Sequence, residues 1–255
     1  MVKILLTGCL GKMGRMIASL VNETEGVSVV AGVDITACDD LDFPVYTDIF
    51  SVKEKADVLI DFSHHTAIFS VLRMAKMNRM PVVICTTGHT AEEKELIVAA
   101  SSEVPVFFSA NMSLGINLLM LLCKQAASVL ENDFDIELIE KHHNQKLDAP
   151  SGTAYLLADA INDSLKEPCE YVYDRHAVRE KRSKKEIGMH AVRGGNIVGE
   201  HEVIFAGQDE VVTLSHSATS RRVFAEGAVK AAVFIRDQSV GMYSMQDLLK
   251  LRLGM

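Results

Sequence analysis

VKILLTGCLGKMG, residues 2–14, is the stretch that decides how the first half of this chain folds. Its opening apolar run, residues 2–6, is typical of a short buried strand, and Met16, Ile17 and Leu20 then repeat at helical spacing. Three glycines separate the two elements, in the pattern G-x-x-G-x-x-G. Glycines in such a turn let a phosphate group approach the start of the helix closely. The stretch therefore predicts a strand, a turn and a helix that bind the pyrophosphate of a dinucleotide.

A carboxylate follows the second predicted strand at the distance expected for nucleotide binding. This strand, residues 27–33, is followed by Asp34, 20 residues after Gly14. A carboxylate in this place accepts hydrogen bonds from an adenosine ribose. The strand, the glycines, the helix and the acid together favour a dinucleotide site, and a glycine-rich turn without a ligand is the alternative.

Strands and helices keep alternating up to residue 108. The predicted elements are a strand at 56–61, a helix near 66–77, a strand at 81–85, a helix near 91–101 and a strand at 104–108. This βαβ rhythm predicts a parallel sheet, whose ligands bind beside the carboxyl ends of the strands. The residues at those ends suit a nicotinamide carboxamide and ribose, and each also suits an ordinary turn. They are Phe62-Ser63-His64, Thr86-Thr87-Gly88 and Ser109-Ala110-Asn111-Met112.

The pattern changes in the second half, where strands dominate. After a helix at 115–130, the predicted strands are 133–141, 170–174, 186–193, 197–206 and 210–216, with one helix at 154–166. This order indicates an α+β domain with a mixed or antiparallel sheet. Two C-terminal helices, at 222–235 and 244–253, could return to the first sheet. The predicted fold class is α/β, with a parallel sheet domain and a second α+β domain.

The most distinctive chemistry lies in EKHHNQKLDAPSGTA, residues 140–154, between a predicted strand and helix. His142 or His143 can act as a general acid near neutral pH. Lys146 can pair with a substrate carboxylate or donate a proton. The ligand of this block should therefore carry at least one carboxylate or phosphate and accept a proton.

The start of the helix after this block predicts an anion site. Pro150 restrains the residue before it, and Ser151 or Thr153 can cap the helix. We expect backbone N–H groups near Gly152 and Thr153 to remain unpaired and to bind an anion. Arg193, at a predicted hairpin turn, could also reach a carboxylate, or it could lie in water. The charged segment 174–185 is predicted to be a solvated or mobile loop, or to close over a bound anion.

Composition limits the remaining possibilities. A chain of 255 residues with 48% hydrophobic residues can form one large or two small globular domains. A net charge of −8 argues against broad binding to nucleic acid or anionic membranes, and no signal peptide or membrane span is indicated. Without H-E-x-x-H, C-x-x-C or G-x-S-x-G motifs, we expect neither a metal site nor a serine hydrolase. Five cysteines without a C-x-x-C pair suit free thiols in the cytoplasm: Cys9, Cys38, Cys85, Cys123 and Cys169.

The block EKHHNQK followed by DAPSGTA resembles the signature of the dihydrodipicolinate reductases, also called 4-hydroxy-tetrahydrodipicolinate reductases, of the lysine and diaminopimelate pathway. The resemblance extends over nearly the whole chain. The other matching segments are residues 8–14, Asp61-Phe62-Ser63, Thr86-Thr87-Gly88, residues 110–117, residues 193–201, Ser220-Arg221 and Phe224-Ala225.

The resemblance implies reduction of a small cyclic dicarboxylate, 4-hydroxy-tetrahydrodipicolinate, by NADH or NADPH to tetrahydrodipicolinate, with loss of water. His142 would be the acid, and Lys146 the second proton donor or charge partner. The residues that bind the two substrate carboxylates would be His143, Lys146, Gly152 and Thr153, with Ser151 and Arg193 as lesser candidates. Cofactor contacts would come from Gly8, Cys9, Leu10, Gly11, Lys12, Met13, Asp34, Cys85, Thr86, Thr87, Ser109, Ala110, Asn111 and Met112.

The resemblance also implies a domain organisation. A Rossmann domain of residues 1–112, completed by residues 220–255, would bind the dinucleotide. Residues 113–219 would bind the substrate and assemble a homotetramer.

Two positions depart from the family pattern. Cys85 stands where glycine often precedes Thr-Thr-Gly, which could crowd that approach. Asp34 is followed by Ile35 and Thr36, whereas relatives that bind the NADPH 2′-phosphate often have a basic residue there. A carboxylate without a nearby arginine favours a ribose hydroxyl, so we expect NADH, although Lys12 could partly compensate.

Two other functions stay open from the residues alone. One is an NAD(P)-dependent dehydrogenase of another small dicarboxylate or semialdehyde. The other is a dinucleotide-sensing protein without catalysis, which leaves the basic block unexplained.

Overall fold

The structure is a computed structural model that describes residues 1–131 and 133–254. The chain divides into two units: unit 1 consists of Met1–Leu114 and Arg222–Met255, and unit 2 of Gly115–Arg221. Asn132 and Met255, which the predicted domains include, lie outside the described residues.

The described residues contain twelve strands, seven α-helices and two short 3-10 helices, at Ile49–Ser51 and His65–Ala67. In chain order the strands are β1 (Val2–Thr7), β2 (Val27–Val33), β3 (Val45–Tyr46), β4 (Val58–Asp61), β5 (Val82–Ile84), β6 (Pro105–Phe108), β7 (Asp135–His142), β8 (Glu170–Val172), β9 (Glu186–Arg193), β10 (Gly199–Ala206), β11 (Val211–Ala218) and β12 (Gly241–Tyr243). The helices are α1 (Lys12–Asn22), α2 (Ile68–Asn78), α3 (Ala91–Ala100), α4 (Leu114–Leu130), α5 (Gly152–Asn162), α6 (Arg222–Ile235) and α7 (Met245–Leu253).

Unit 1 contains a seven-stranded parallel sheet in the order β12-β6-β5-β4-β1-β2-β3. The chain moves outward from β1 through β2 and β3, and then returns to β4 and moves outward on the other side. Ligands of such doubly wound sheets bind beside the carboxyl ends of the strands where the direction reverses. The register aligns Thr7 of β1 with Val33 of β2 and Asp61 of β4 at that edge.

Helices cover both faces of this sheet because its central strands are apolar on both sides. All four residues of β4 are buried, and so are five of the six residues of β1. On one face, Ile17 of α1 packs in the same core as Ala228 of α6 and Leu248 of α7. On the other face, Leu72 of α2 packs in the same core as Ile97 of α3.

Unit 2 contains a five-stranded mixed sheet in the order β11-β10-β7-β9-β8. The central strand, β7, is antiparallel to β10 and parallel to β9. Its residues alternate between buried and half-buried. Ile136 and Leu138 pack with Leu119 of α4 and Leu157 of α5, so these helices cover one face of the sheet.

The other face of β7 carries charge. Glu137 Oε1 accepts hydrogen bonds from Arg175 at 2.7 Å and from Arg182 at 2.9 Å. Both arginines belong to the segment 174–185, for which we predicted a solvated or mobile loop. The segment is an irregular and mostly exposed loop, as predicted, but the guanidinium groups of these two arginines are paired with the sheet.

The predicted fold class is confirmed, and the bounds of β2, β9 and α6 agree with the prediction. Three bounds near the basic block differ. The strand β7 extends to His142, β10 begins at Gly199 instead of residue 197, and α5 spans Gly152–Asn162 instead of 154–166. The sequence did not predict β3 or β12, because strands of two or three residues are too short to show a hydrophobic period.

Candidate active site

The glycine turn between β1 and α1 has no room for a side chain at two of its three glycines. Gly8 has a φ of +71°, and a Cβ there would lie 2.2 Å from the carbonyl oxygen of Phe62. A Cβ at Gly14 would lie 2.1 Å from the carbonyl oxygen of Gly8. Gly11 is the N-cap of α1 and provides no side-chain cap. The arrangement resembles that with which dinucleotide-binding folds hold a pyrophosphate.

Asp34 joins this turn to the end of β2. Its Oδ2 accepts the N–H of Leu10 at 2.8 Å, and its Oδ1 accepts the N–H of Ile35 at 2.8 Å. Each oxygen keeps a second lone pair for a ribose hydroxyl. Asp34, Gly8 and Gly11 line a cavity of ≈ 420 Å³, which supports the predicted ribose contact.

A second cavity, of ≈ 360 Å³, lies beside the ends of β4, β5 and β6. It shares Phe62 and Ser63 with the first cavity, so the two adjoin. The predicted cofactor residues that line it are Met13, Cys85, Thr86, Thr87, Ser109, Ala110, Asn111 and Met112.

Three predicted cofactor residues, Cys9, Leu10 and Lys12, line neither cavity, and Leu10 packs against the core of unit 1. Cys9 is fully buried in the core of unit 1, where burial, followed by the nearby Asp34 carboxylate, raises the pKa of its thiol to about 11. Its side chain therefore packs against protein instead of facing a cavity. Lys12, the first residue of α1, is exposed.

Asp61 is a buried carboxylate that our sequence reasoning did not assign to the site. It accepts hydrogen bonds from the hydroxyls of Thr7 at 2.5 Å, Ser63 at 2.5 Å and Thr86 at 2.6 Å. It thereby ties together the ends of β1, β4 and β5, next to both cavities. The signal in the sequence is an acid at the end of an otherwise apolar strand.

In unit 2, His142 is the last residue of β7 instead of part of the connection after it, which corrects our prediction. The side chain is largely buried, and its Nδ1 lies 2.6 Å from Oε2 of Glu140. Arg193 binds the same carboxylate through two hydrogen bonds, at 2.7 and 2.8 Å, and the N–H of Ser151 binds it at 3.0 Å. Burial raises the pKa of Glu140, but hydrogen bonds from Arg193 and His142 outweigh it, so the pKa lies below its ordinary value.

Ser151 is the N-cap of α5, one of the two predicted caps. Its Oγ accepts the N–H of Ala154 at 3.1 Å and lies 3.1 Å from Nε2 of His201. Desolvation, followed by the nearby His142, lowers the pKa of His201 to about 4. Two buried histidines thus stand next to each other, and His142 is the one with a carboxylate partner. His201 ends one of the segments that resemble the family, residues 193–201, but the sequence assigns it no role.

A carboxylate of the chain itself lies beside the predicted anion site at the start of α5. Oδ1 of Asp148 lies 2.9 Å from Nζ of Lys146. Burial raises the pKa of Asp148, but the bonds to Lys146 and to backbone N–H groups outweigh it and lower this pKa. The unpaired N–H at Gly152 stays a prediction, and the lowered pKa of Asp148 indicates that backbone N–H groups at this helix start favour an anion.

The remaining predicted substrate residues differ in their surroundings. His143 follows β7, and its Nε2 lies 3.5 Å from Arg221 Nη2. Thr153 is in the first turn of α5. Arg193, for which the sequence left a substrate carboxylate and water open, binds Glu140 and the carbonyl oxygen of Asp148.

Over the described ranges, no group of three or more His, Cys, Asp and Glu side chains is arranged to hold a metal ion. Within the same ranges, no helix has the length and apolar character needed to cross a membrane.

A doubly wound parallel sheet whose first helix begins at a glycine turn, with a carboxylate at the end of the second strand, defines a dinucleotide-binding protein. Sequence comparison refines this class. The family profile described as dihydrodipicolinate reductase, N-terminus, matches residues 2–112, and the one described as dihydrodipicolinate reductase, C-terminus, matches residues 115–249. The chain belongs to the dihydrodipicolinate reductase family.

Individual relatives agree with this assignment. The 4-hydroxy-tetrahydrodipicolinate reductase of Caldanaerobacter subterraneus subsp. tengcongensis is 57% identical over 250 residues, which cover 98% of this chain and 99% of the relative. That of Clostridium novyi is 50% identical over 250 residues, with the same coverage of both chains. Among solved structures, a dipicolinate-bound dihydrodipicolinate reductase from Paenisporosarcina sp. TG-14 superposes with a TM-score of 0.80, 26% identity and coverage of 96% of this chain and 97% of that one.

Proposed function

We propose that this protein reduces 4-hydroxy-tetrahydrodipicolinate to tetrahydrodipicolinate with NAD(P)H, with loss of water, in lysine and diaminopimelate biosynthesis. The observation that carries the proposal is the match to the family over both halves of the chain, together with an intact basic block from His142 to Thr153. The relatives at 57% and 50% identity carry the name of this activity.

Unit 1 is the dinucleotide-binding half in this proposal. The N-terminus of α1 and the glycine turn hold the pyrophosphate, and Asp34 accepts the ribose hydroxyls. The lining of the second cavity, from Thr86 to Met112, holds the nicotinamide end. When bound, the reduced nicotinamide would supply the hydride that, together with one proton, saturates the ring carbon–carbon double bond created by the loss of water.

Unit 2 is the substrate-binding half. His142 donates a proton as the general acid, and Lys146 provides the second proton or pairs with a carboxylate. His143, Lys146, Gly152 and Thr153 bind the two ring carboxylates, because a helix start and cationic side chains both favour anions. Ser151 contributes by capping the N-terminus of α5, where the carboxylates bind.

We further propose that NADH is the preferred cofactor. Asp34 is followed by Ile35, whose side chain is 92% exposed and cannot neutralise a 2′-phosphate. A phosphate beside the Asp34 carboxylate would meet like charge, whereas a ribose hydroxyl donates to it. Parallel titrations with NADH and NADPH test this preference through the ratio of kcat/KM values.

The assembly and location are also proposals. Unit 2 presents one sheet face that α4 and α5 do not cover, which supports a homotetramer built through this unit. The described cysteines are all free thiols, which supports a cytoplasmic location. Sedimentation equilibrium measures the number of subunits.

The decisive experiment forms the unstable substrate in situ from pyruvate and aspartate semialdehyde and follows the absorbance of the reduced nicotinamide. The proposal requires rapid loss of that absorbance in the complete mixture and none when either precursor is left out. A dehydrogenase of another dicarboxylate or semialdehyde would consume cofactor only with that compound. A dinucleotide sensor would bind cofactor, detected by fluorescence, without turnover in any mixture.

A further inference from the structure

Glu140 is completely buried, and every contact it makes is with a donor. Arg193 supplies two N–H groups, and Ser151 supplies a backbone N–H. The fourth partner is Nδ1 of His142 at 2.6 Å. A carboxylate surrounded in this way is ionised and has no proton of its own to give.

The ionised state of Glu140 determines which nitrogen of His142 carries hydrogen. Since Glu140 can only accept, Nδ1 of His142 must be the donor. The other ring nitrogen, Nε2, is then the one that exchanges a proton with a ligand. Nε2 lies over Gly199, where a Cβ would come within 3.1 Å of it.

The charged and titratable groups around His142 come from several elements. Glu140 is on the same strand, and Arg193 of β9 holds it. The ring of His201 on β10 lies 5.2 Å from the ring of His142. Lys146 is on the connection that follows, where it pairs with Asp148. Glu140 is the anion in direct contact with the imidazole.

We propose that Glu140 is a positioning residue for His142, and that Arg193 holds Glu140 in place instead of binding the substrate. The carboxylate keeps the proton on Nδ1 and orients the ring, so that Nε2 carries and delivers the transferred proton. The transferred proton leaves from Nε2. The Nδ1–H group of the imidazole keeps its hydrogen bond to Glu140 throughout, so Glu140 is never protonated. This inference rests on the proposed function for the identity of the acid.

The test compares Glu140→Gln with Glu137→Gln. Glu137 lies on the same strand, with its side chain on the opposite face, and it also accepts hydrogen bonds from arginine and histidine side chains. Glu137→Gln therefore controls for the loss of a comparable ionic cluster. We expect Glu140→Gln to lower kcat by about 10-fold or more with an unchanged KM for NADH, and Glu137→Gln to keep both within about twofold.

The fold of the variant is checked separately, so that positioning is distinguished from general destabilisation. Circular dichroism and an unchanged KM for NADH identify a folded Glu140→Gln protein. A folded Glu140→Gln protein with wild-type kcat overturns the proposal.

A measurement on the wild-type protein keeps the proposal testable if Glu140→Gln does not fold. Nitrogen-15 NMR of labelled histidine reports which ring nitrogen is protonated, and His142→Gln identifies the signals of His142. We expect Nδ1–H above neutral pH, and an Nε2–H tautomer overturns the proposal. Because this readout needs no substrate, a protein that lacks reductase activity but has Nδ1–H at His142 contradicts the proposed function and supports the positioning.

Discussion

Nζ of Lys146 lies 2.9 Å from Oδ1 of Asp148, so the lysine that we assign to the substrate is paired with a carboxylate of the chain itself. Backbone N–H groups near the start of α5 also lower the pKa of this carboxylate. Asp148 thus pairs with the lysine that a substrate carboxylate would use, and it competes with the substrate for that lysine.

Replacing Asp148 with Asn should therefore strengthen substrate binding. The Asp148 side chain is 57% exposed, so the pair contributes no more than about 1 kcal/mol. We expect the KM for the substrate to fall about 2- to 5-fold in Asp148→Asn, with the KM for NADH unchanged. Asp163→Asn, at the other end of α5, is the control. A raised substrate KM in Asp148→Asn would show that Asp148 orients Lys146 instead of competing for it.

Removing the proposed proton donors should abolish most of the activity. We expect His142→Gln and Lys146→Ala each to lower kcat by roughly 10²-fold, with little change in NADH affinity, because general acid catalysis contributes about that much. His176→Gln, on the charged segment, should keep full activity. Near-normal turnover in both variants would remove these two residues from the mechanism.

A methyl group at residue 199 should disturb the proton donor without unfolding the protein. The Cβ of Gly199→Ala would lie 3.1 Å from Nε2 of His142, so the ring must move by a few tenths of an ångström. We expect kcat to fall about 10-fold, because catalysis is sensitive to small misplacements. Gly194→Ala is the matched control, since no described atom lies within 4 Å of its Cβ. Equal rates for the two variants would contradict the placement of Nε2.

Asp61→Asn should weaken cofactor binding. Three hydroxyl groups donate to the Asp61 carboxylate, and an amide NH2 cannot accept from them. The strand ends beside both cavities would then shift, and we expect the Kd for NADH, measured by fluorescence titration, to rise about 10-fold. Asp57→Asn, whose carboxylate accepts a backbone N–H at the opposite end of β4, should leave the Kd unchanged.

His201 should make the protein less stable as the pH falls. Its pKa is about 4 in the folded protein and 6.5 ordinarily, so the unfolded chain binds a proton more tightly between these values. The free energy of unfolding should decrease by about 2 kcal/mol from this group between pH 7.5 and pH 5, where carboxylates are still largely ionised. Urea denaturation should show a smaller decrease for His201→Gln. In the exposed His176→Gln control, the free energy of unfolding should change with pH as it does in the wild-type protein. The same pH dependence in His201→Gln as in the wild type would contradict this account.

Sequence patterns predicted elements whose signals are local. The hydrophobic periods located β2, β9 and α6 with their observed bounds, and the glycine spacing located the turn after β1. The short edge strands β3 and β12 were missed, because they exist through pairing with neighbouring strands and not through a period of their own. The basic block indicated the family and the type of ligand, but not the partner of each side chain.

By itself, the sequence determined the α/β alternation, the dinucleotide turn and the family, since these depend on the order and spacing of nearby residues. The tertiary structure alone decided the surroundings of His142. Arg193 is 53 residues from Glu140 in the chain, and Ser151 is 50 residues from His201. These groups meet because β7 pairs with β9 and β10 in one register, and that register is set by packing over the whole sheet. The sequence therefore left Arg193 available for a substrate carboxylate. Only the pairing of the strands shows that it binds Glu140.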